Sequence, residues 1–347
     1  MKKKQLKKLL KAAEASAQAQ PIATVPNDRP LADWLDVHEQ QIRTAGYAPQ
    51  TVKNRVGILR HIRRLWGTRG IRSLKAHEIA TAIRAEFLPD NTSTAQRVLG
   101  ELRMVYSEAV ANDWCDTSPA MFVKMPKHRV MRERLKFETW HRMWRRSQDG
   151  TWPRWVEAML LLGLVIGQRR ADLSLMTEAN IVTAADGQEV LQFEQQKKAG
   201  KEFGSRLEIP LSLRMDEIGM TVGDVIEVCR ACAKPGPNLL RMRGGRSISK
   251  GSLSTRFHEL IVMSEGRNAY ARRKWPSLHE VRSLSARMYV EQGMPPAVVQ
   301  TLLGHSNQEM TQLYLNERGM GAAKFKRVEV PDGATTDHRQ IEITAAT

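Results

Sequence analysis

Cysteine is scarce in this chain, with three in 347 residues. So sparse and odd a set excludes the disulfide framework of a small secreted domain and points to a reducing compartment. Cys229 and Cys232 form a C-x-x-C, but a structural zinc site needs four ligands and no second pair exists. The surrounding VGDVIEVCRACAK reads as a helix with buried thiols, so no metal is expected. Long hydrophobic runs are missing too. The most apolar stretch, VEAMLLLGLVIG, is too short to span a bilayer and reads as a buried helix. The start, MKKKQLKKLLKAAEA, lacks the sustained apolar core of a secretory signal. No internal repeat and no glycine-rich phosphate loop occurs, and no cofactor is expected. Acidic side chains are outnumbered, 37 against 54 basic ones, which leaves a net charge of +17 and a pI near 10.1. Such a balance calls for a polyanionic partner, with nucleic acid first and no membrane. With neither a signal nor a spanning run, a cytoplasmic protein with access to DNA is expected.

What is present falls into segments. Residues 1–29 combine a lysine cluster with Leu6, Leu9, Leu10 and Ala13 at helical spacing, then the breaker TVPNDRP, and read as a basic helix, tail and linker. Residues 30–123 read as all-helical. LADWLDVHEQQIRTAG places Leu31, Trp34, Leu35 and Val37 on one broad face. PQTVKNRVGILRHIRRLWG has Pro49 near its start and Val52, Val56, Leu59, Ile62 and Leu65 at periods of three and four. Its other face carries Lys53, Arg55, Arg60, Arg63 and Arg64. Residues 124–136 form a basic connector that includes Lys127 and Arg129. Residues 137–330 read as α/β: helices, two strand-like runs (EVLQFEQQ and SRLEIPL) joined by KKAGKEFG, then further helices. Gly304 is expected to cap a helix, and Ser306 with Glu309 forms a capping box that opens the next one. KFKRVEV alternates like a last strand, and residues 331–347 are polar.

One constellation carries chemistry. Tyr314 lies nine residues after His305, and His279 and Arg282 stand at i, i+3 upstream. Cleaving a phosphodiester without a metal needs a nucleophile, cations on the non-bridging oxygens and an acid for the departing oxygen. A phenol becomes a nucleophile when a base and guanidinium groups help it lose its proton, and its phosphate ester stores the bond energy for rejoining. Arg169, after an apolar helix and Gly167, and Arg282 present planar forks for phosphate oxygens. Asp172, three residues on, is a candidate brace for Arg169. The two histidines can move protons near neutral pH. Lys198, in the turn between the strands, can protonate a leaving 5′ oxygen; Lys197 and Lys201 are rivals for that role. Arg241, Arg243 and Arg246 in RMRGGRS, with Arg256 beyond, are candidate DNA contacts, as are Lys53, Arg60 and Arg63.

In order, GQRRADL, KKAG, LHEVRSLSAR, LLGHS and MTQLYLNERG resemble the boxes of the tyrosine recombinase family, nearest to lambda-type phage integrases. The resemblance spans about residues 30–330. It implies catalytic roles for Arg169, Lys198, His279, Arg282, His305 and the nucleophile Tyr314, with Asp172 as the acidic partner of Arg169. It implies a multidomain, mainly α fold: a SAM-like, all-helical core-binding domain over 30–123 and a mixed α/β catalytic domain with a small antiparallel sheet over 137–330. The two would close on double-stranded DNA as a clamp. The protein would be a monomer when free and a homotetramer when two attachment sites synapse, and it would form a 3′-phosphotyrosine during integration or excision of a phage or other mobile element. DNA-bending or directionality factors would assist. Lambda-type relatives carry an N-terminal arm-binding sheet domain. The 29 residues before the core-binding region show no strand pattern and resemble a remnant of the coupling helix. Two other classes stay open: a type IB topoisomerase, which acts without synapsis, and a DNA-binding regulator that has lost catalysis. The separate helical domain and the SLSAR box favour recombination, and no catalytic side chain is missing.

Overall fold

A computed structural model describes residues 28–127, 132–196, 206–271 and 274–305. The chain divides into two compact units, Met1–Val130 and Met131–Thr347. The basic N-terminal helix, Arg129, Lys198, the capping box at Ser306, Tyr314, KFKRVEV and the polar C-terminal tail lie outside the described residues.

The first unit is helical: α1 (Leu31–Thr44), α2 (Pro49–Trp66), α3 (Ala76–Phe87) and α4 (Thr92–Ala111), then a single 3-10 turn at Pro119–Phe122. Pro49 opens α2, where its missing N–H costs no helical hydrogen bond. The apolar positions converge on one core: Leu31, Trp34, Leu35 and Ile42 from α1, Val56, Leu59, Ile62 and Trp66 from α2, and Val98, Leu99, Leu102 and Val105 from α4. Burying each such side chain contributes about 1.5–3 kcal/mol. Trp34 Nε1 also donates to Val105 O at 2.8 Å, which satisfies the polar end of a buried indole. The expected face of α1 needs one correction. Val37 is 40% exposed and His38 is fully buried in its place. The register follows i, i+3, i+4, i+7 from Leu31, which passes through His38 and not through Val37. His38 is tolerated there because both ring nitrogens meet carboxylates, Glu108 and Glu101.

The second unit is mixed. Its elements are α5 (Phe137–Ser147), α6 (Trp155–Ile166), α7 (Arg170–Leu175), β1 (Ile181–Thr183), β2 (Glu189–Glu194), β3 (Arg206–Pro210), β4 (Arg214–Met215), β5 (Met220–Thr221), α8 (Val222–Ala231), α9 (Lys250–Glu265), α10 (His279–Glu291) and α11 (Pro296–Leu303). α6 is the axis of the core: every residue except Glu157 is buried, and α5, α8, α9 and α10 pack around it. That is why its sequence shows no amphipathic period. Cys229 on α8 is one of the core side chains, and desolvation raises its thiol pKa.

β1, β2 and β3 form an antiparallel sheet in that order, with Leu191 opposite Ile209 and Phe193 opposite Leu207. β3 alternates, so Leu207 and Ile209 face inward. β4 and β5 make a separate two-stranded ribbon. β1, β4, β5 and α7 carry no sequence signal of their own, because each is too short to show a period. The architecture is thus multidomain and mainly α, with small antiparallel sheets. No helix among the described residues is long and apolar enough to cross a membrane.

Candidate active site

Two left-handed glycines and the end of β2 bring the site together. α6 ends at Gly167, whose φ of +59° is the left-handed conformation that terminates helices. A Cβ there would meet Ser285 Oγ at 2.9 Å, so α6 and α10 approach more closely than a side chain would allow. The chain then passes through Gln168 and extended Arg169 into α7. β2 delivers Gln195 one residue beyond its last pair. α11 stops at Gly304, also left-handed at φ +61°, where a Cβ would strike the Gln195 amide at 2.8 Å. This is the cap expected from the sequence, and it carries a packing constraint as well.

Arg282, on α10, is 1% exposed. Its Nη1 donates to Gly167 O at 2.8 Å and to Gln168 Oε1 at 3.3 Å. Its Nη2 donates to Leu303 O and meets His305 Nε2 at 3.0 Å. The last contact requires His305 Nε2 to accept, a tautomer inferred from the network. Three of these acceptors are carbonyl or amide oxygens, which orient the guanidinium without themselves cancelling its charge.

Arg169 is half-buried, and its Nη1 donates to Gln195 Oε1 at 2.7 Å. Gln195, fully buried, passes on two bonds from Nε2, to Gln168 Oε1 at 2.7 Å and Leu303 O at 3.0 Å. Gln168 Nε2 in turn donates to Ile166 O at 2.8 Å and Leu302 O at 2.7 Å. The two arginines expected to act together are therefore joined through two buried amides. Sequence reasoning passed over both glutamines. The available signal was faint: Gln168 follows a wholly apolar helix, and Gln195 ends a strand.

His279 stands one turn before Arg282 with its side chain open to solvent. Its pKa is lowered to about 4, by desolvation first and then by the guanidiniums of Arg282, Arg169, Arg132 and Arg134. Because the ring remains accessible to water, the four positive charges are the sounder cause. At neutral pH the ring is therefore neutral. The residues just before α5 reinforce this helix. Arg134 pairs with buried Glu280 at 3.0 Å and donates to Ser283 Oγ at 2.7 Å, and Arg287 Nη2 donates to Leu135 O at 2.6 Å. The end of the basic connector is thus built into the second unit.

Two expectations are corrected. Asp172 does not brace Arg169. It is buried, its Oδ1 accepts from Gln196 N at 2.8 Å, and its Oδ2 has no hydrogen-bond partner among the described residues. It anchors the backbone next to Gln195. Arg241 is not a surface contact. It is 4% exposed, and its guanidinium donates to the carbonyls of Lys234, Asn238 and Arg230. It props up a turn from which Arg243 and Arg246 project into solvent. Of the other basic candidates, Arg256 pairs with Glu259 and Arg63 with Asp36, whereas Lys53, Arg60 and Lys127 are exposed without an ion pair among the described residues.

Two guanidiniums oriented by amide and carbonyl oxygens, His305 against Arg282, His279 one turn away, and a surplus of positive charge make a receptor for a phosphate-sized anion. Residues 133–319, more than half of the chain, match the phage integrase family. The integrase of Enterobacteria phage 434 is 27% identical over 297 residues, covering 84% of this chain and 78% of that protein. The integrase of Escherichia phage lambda is also 27% identical over 297 residues, with the same coverage. Among solved structures, a lambda integrase dimer bound to a COC′ core site superposes with a TM-score of 0.77 at 25% identity, covering 86% of this chain and 99% of that one. The chain belongs to the phage integrase family and is a tyrosine-type site-specific recombinase.

Proposed function

We propose that this recombinase cuts and rejoins double-stranded DNA at attachment sites through a 3′-phosphotyrosine on Tyr314, integrating and excising a phage or similar mobile element. Arg169 and Arg282 hold the non-bridging oxygens of the scissile phosphate. His279 and His305 donate to the phosphate or move the tyrosine proton, and Lys198 protonates the leaving 5′ oxygen. Four copies assemble on two duplexes, as in a lambda integrase tetramer bound to a Holliday junction. The work is done in the host cytoplasm. Residues 30–123 serve as the core-binding domain, with Lys53 and Arg60 facing phosphates; residues 124–136 link it to the catalytic domain at 137–330. Arg243, Arg246 and Lys127 add contacts.

The observation that carries this reading is the convergence of Arg169, Arg282 and His305 around the end of α11, nine residues before the tyrosine. Attack by the phenolic oxygen forms the P–O bond to Tyr314 as the bond to the 5′ oxygen breaks. The proton leaving the phenol is taken up by a base, and an acid supplies one to the departing oxygen. Charge gathers on the equatorial oxygens, where prearranged guanidiniums are worth most. A suicide duplex, nicked beside the cleavage point so that the freed strand diffuses away, tests the assignment. Wild type is expected to accumulate a covalent adduct and Tyr314→Phe to form none. An adduct in Tyr314→Phe, or its absence in wild type, overturns the proposal.

A further inference from the structure

We infer that Gln168 and Gln195 are positioning residues: a buried two-amide relay that sets the aim of Arg169 relative to Arg282 and ties both arginines to the end of α11. The inference rests on the phosphotyrosine reading above and adds two residues to its machinery.

The argument begins with the orphan carbonyls of a helix end. The last carbonyls of α11 have no partner within the helix. Leu302 O accepts from Gln168, and Leu303 O accepts from both Gln195 and Arg282. The negative end of that helix dipole therefore faces the site's cation and amides. Gly304 makes this possible, since any side chain there would collide with the Gln195 amide. α11 is a socket, and the chain runs on from it through His305 toward Tyr314.

The amides have one orientation each. Gln168 Oε1 receives Arg282 and Gln195, while its Nε2 gives to two carbonyls. Gln195 Nε2 gives to Gln168 Oε1 and Leu303 O, while its Oε1 receives Arg169. Turning over either amide would set oxygen against oxygen and N–H against N–H. The relay is rigid, buried and, above all, uncharged. A carboxylate at either place would hold the arginines as firmly but would compete with phosphate for them. An amide orients the fork and leaves its charge for the substrate.

The test uses the full-length protein and the nicked suicide duplex. Three quantities are measured for Gln195→Met, Gln168→Met, their double variant and Gln195→Glu: the single-turnover cleavage rate of pre-bound duplex, the affinity for the duplex, and the melting temperature. Each methionine variant is expected to lose cleavage about 10- to 100-fold, the scale of a small misalignment of catalytic groups. Affinity should stay within about threefold, because most of it comes from other phosphates. The double variant should be no slower than the worse single one, since both break one relay. Gln195→Glu should show a pH limb that wild type lacks. Protonated, the acid keeps the acceptor for Arg169 and one of the amide's two donated bonds; ionised, it neutralises Arg169 and faces two oxygens with no donor, so cleavage should fall as pH rises. This arm decides the matter even if the methionine variants fold poorly. Unchanged cleavage, losses that multiply in the double variant, losses that vanish on cooling in step with melting, or a wild-type pH profile in Gln195→Glu would each overturn the relay. Failure of the parent reading looks different: there the wild-type protein itself forms no adduct on the same duplex.

Discussion

Arginine keeps different company in much of the helical unit and at the candidate site of the second. In the helical unit it meets carboxylates: Arg55 with Glu101 at 2.7 Å, Arg64 with Glu86 at 2.5 Å, Arg63 with Asp36, and Arg72 with Asp116 at 3.3 Å. At the catalytic site Arg282 and Arg169 donate to carbonyls, amides and an imidazole. A carboxylate neutralises the charge of a guanidinium and so ends its interest in an anion. A neutral acceptor fixes its direction and leaves its charge available. A carboxylate partner thus spends an arginine on the fold, whereas neutral partners keep its charge, and exposure then separates Arg169 beside a solvent-accessible histidine from Arg241 inside a turn.

The comparison can be broken most decisively at Arg282. Arg282→Ala is expected to slow single-turnover cleavage of the suicide duplex about 10³-fold or more, the scale of a lost transition-state donor. Arg64→Ala, which loses only an exposed ion pair with Glu86, should leave that rate unchanged. A loss below tenfold at Arg282 would erase the distinction.

Glu101→Ala probes the structural side. Removing the carboxylate shared by buried His38 and Arg55 should cost the helical unit about 3–5 kcal/mol in denaturant unfolding. The cleavage rate of DNA already bound should not change. Burial alone would raise the pKa of Glu101, but hydrogen bonds from His38 and Arg55 outweigh it and lower the value. The stabilisation is therefore present above the usual carboxylate range and is lost as pH falls through and below it. Acid titration of the melting temperature should show the loss in wild type and a flatter curve in Glu101→Ala.

His279 sharpens the catalytic side. With its folded pKa lowered to about 4 from 6.5, the unfolded chain takes up a proton first as the solution is acidified. Its contribution to stability is complete above pH 6.5 and lost between there and pH 4. His279→Gln should flatten the melting curve across that window. An unchanged slope would show that the crowd of guanidiniums does not reach the ring.

The smallest effects belong to the turn at residues 241–247. Arg243→Ala and Arg246→Ala should each reduce the slope of log affinity against log salt by about one, the signature of one phosphate contact. Arg241→Ala should lower the melting temperature and leave that slope alone. If Arg241→Ala instead reduces the slope, the buried arginine has been misread as a prop.

Long periodic elements were legible in the sequence because burial on one face writes a period: α2 and α4 follow it, and β3 alternates. The six-residue α7 and the two-residue β4 and β5 were not, since a period needs several residues to show. Val37 and His38 on α1 exchanged places because a polar ring flanked by two carboxylates can be buried, and only the packing of α4 supplies those carboxylates. Asp172 and Arg241 were misassigned for the same reason. Charge is visible in a sequence, but its partners are brought in by distant segments.

By itself, the sequence supplied the chemistry proposed for the reaction. Arg169, His279, Arg282, His305 and Tyr314 are residue types and spacings that local geometry can interpret, and helices as apolar as α6 must be buried. Only the tertiary structure decided what aims those groups. Gln168 and Gln195 lie 27 positions apart, and Leu303 lies 108 beyond Gln195. No local pattern foretells that two plain amides will meet the end of one helix between two arginines. Their roles follow from hydrogen bonds that exist only after α6, β2, α10 and α11 have packed.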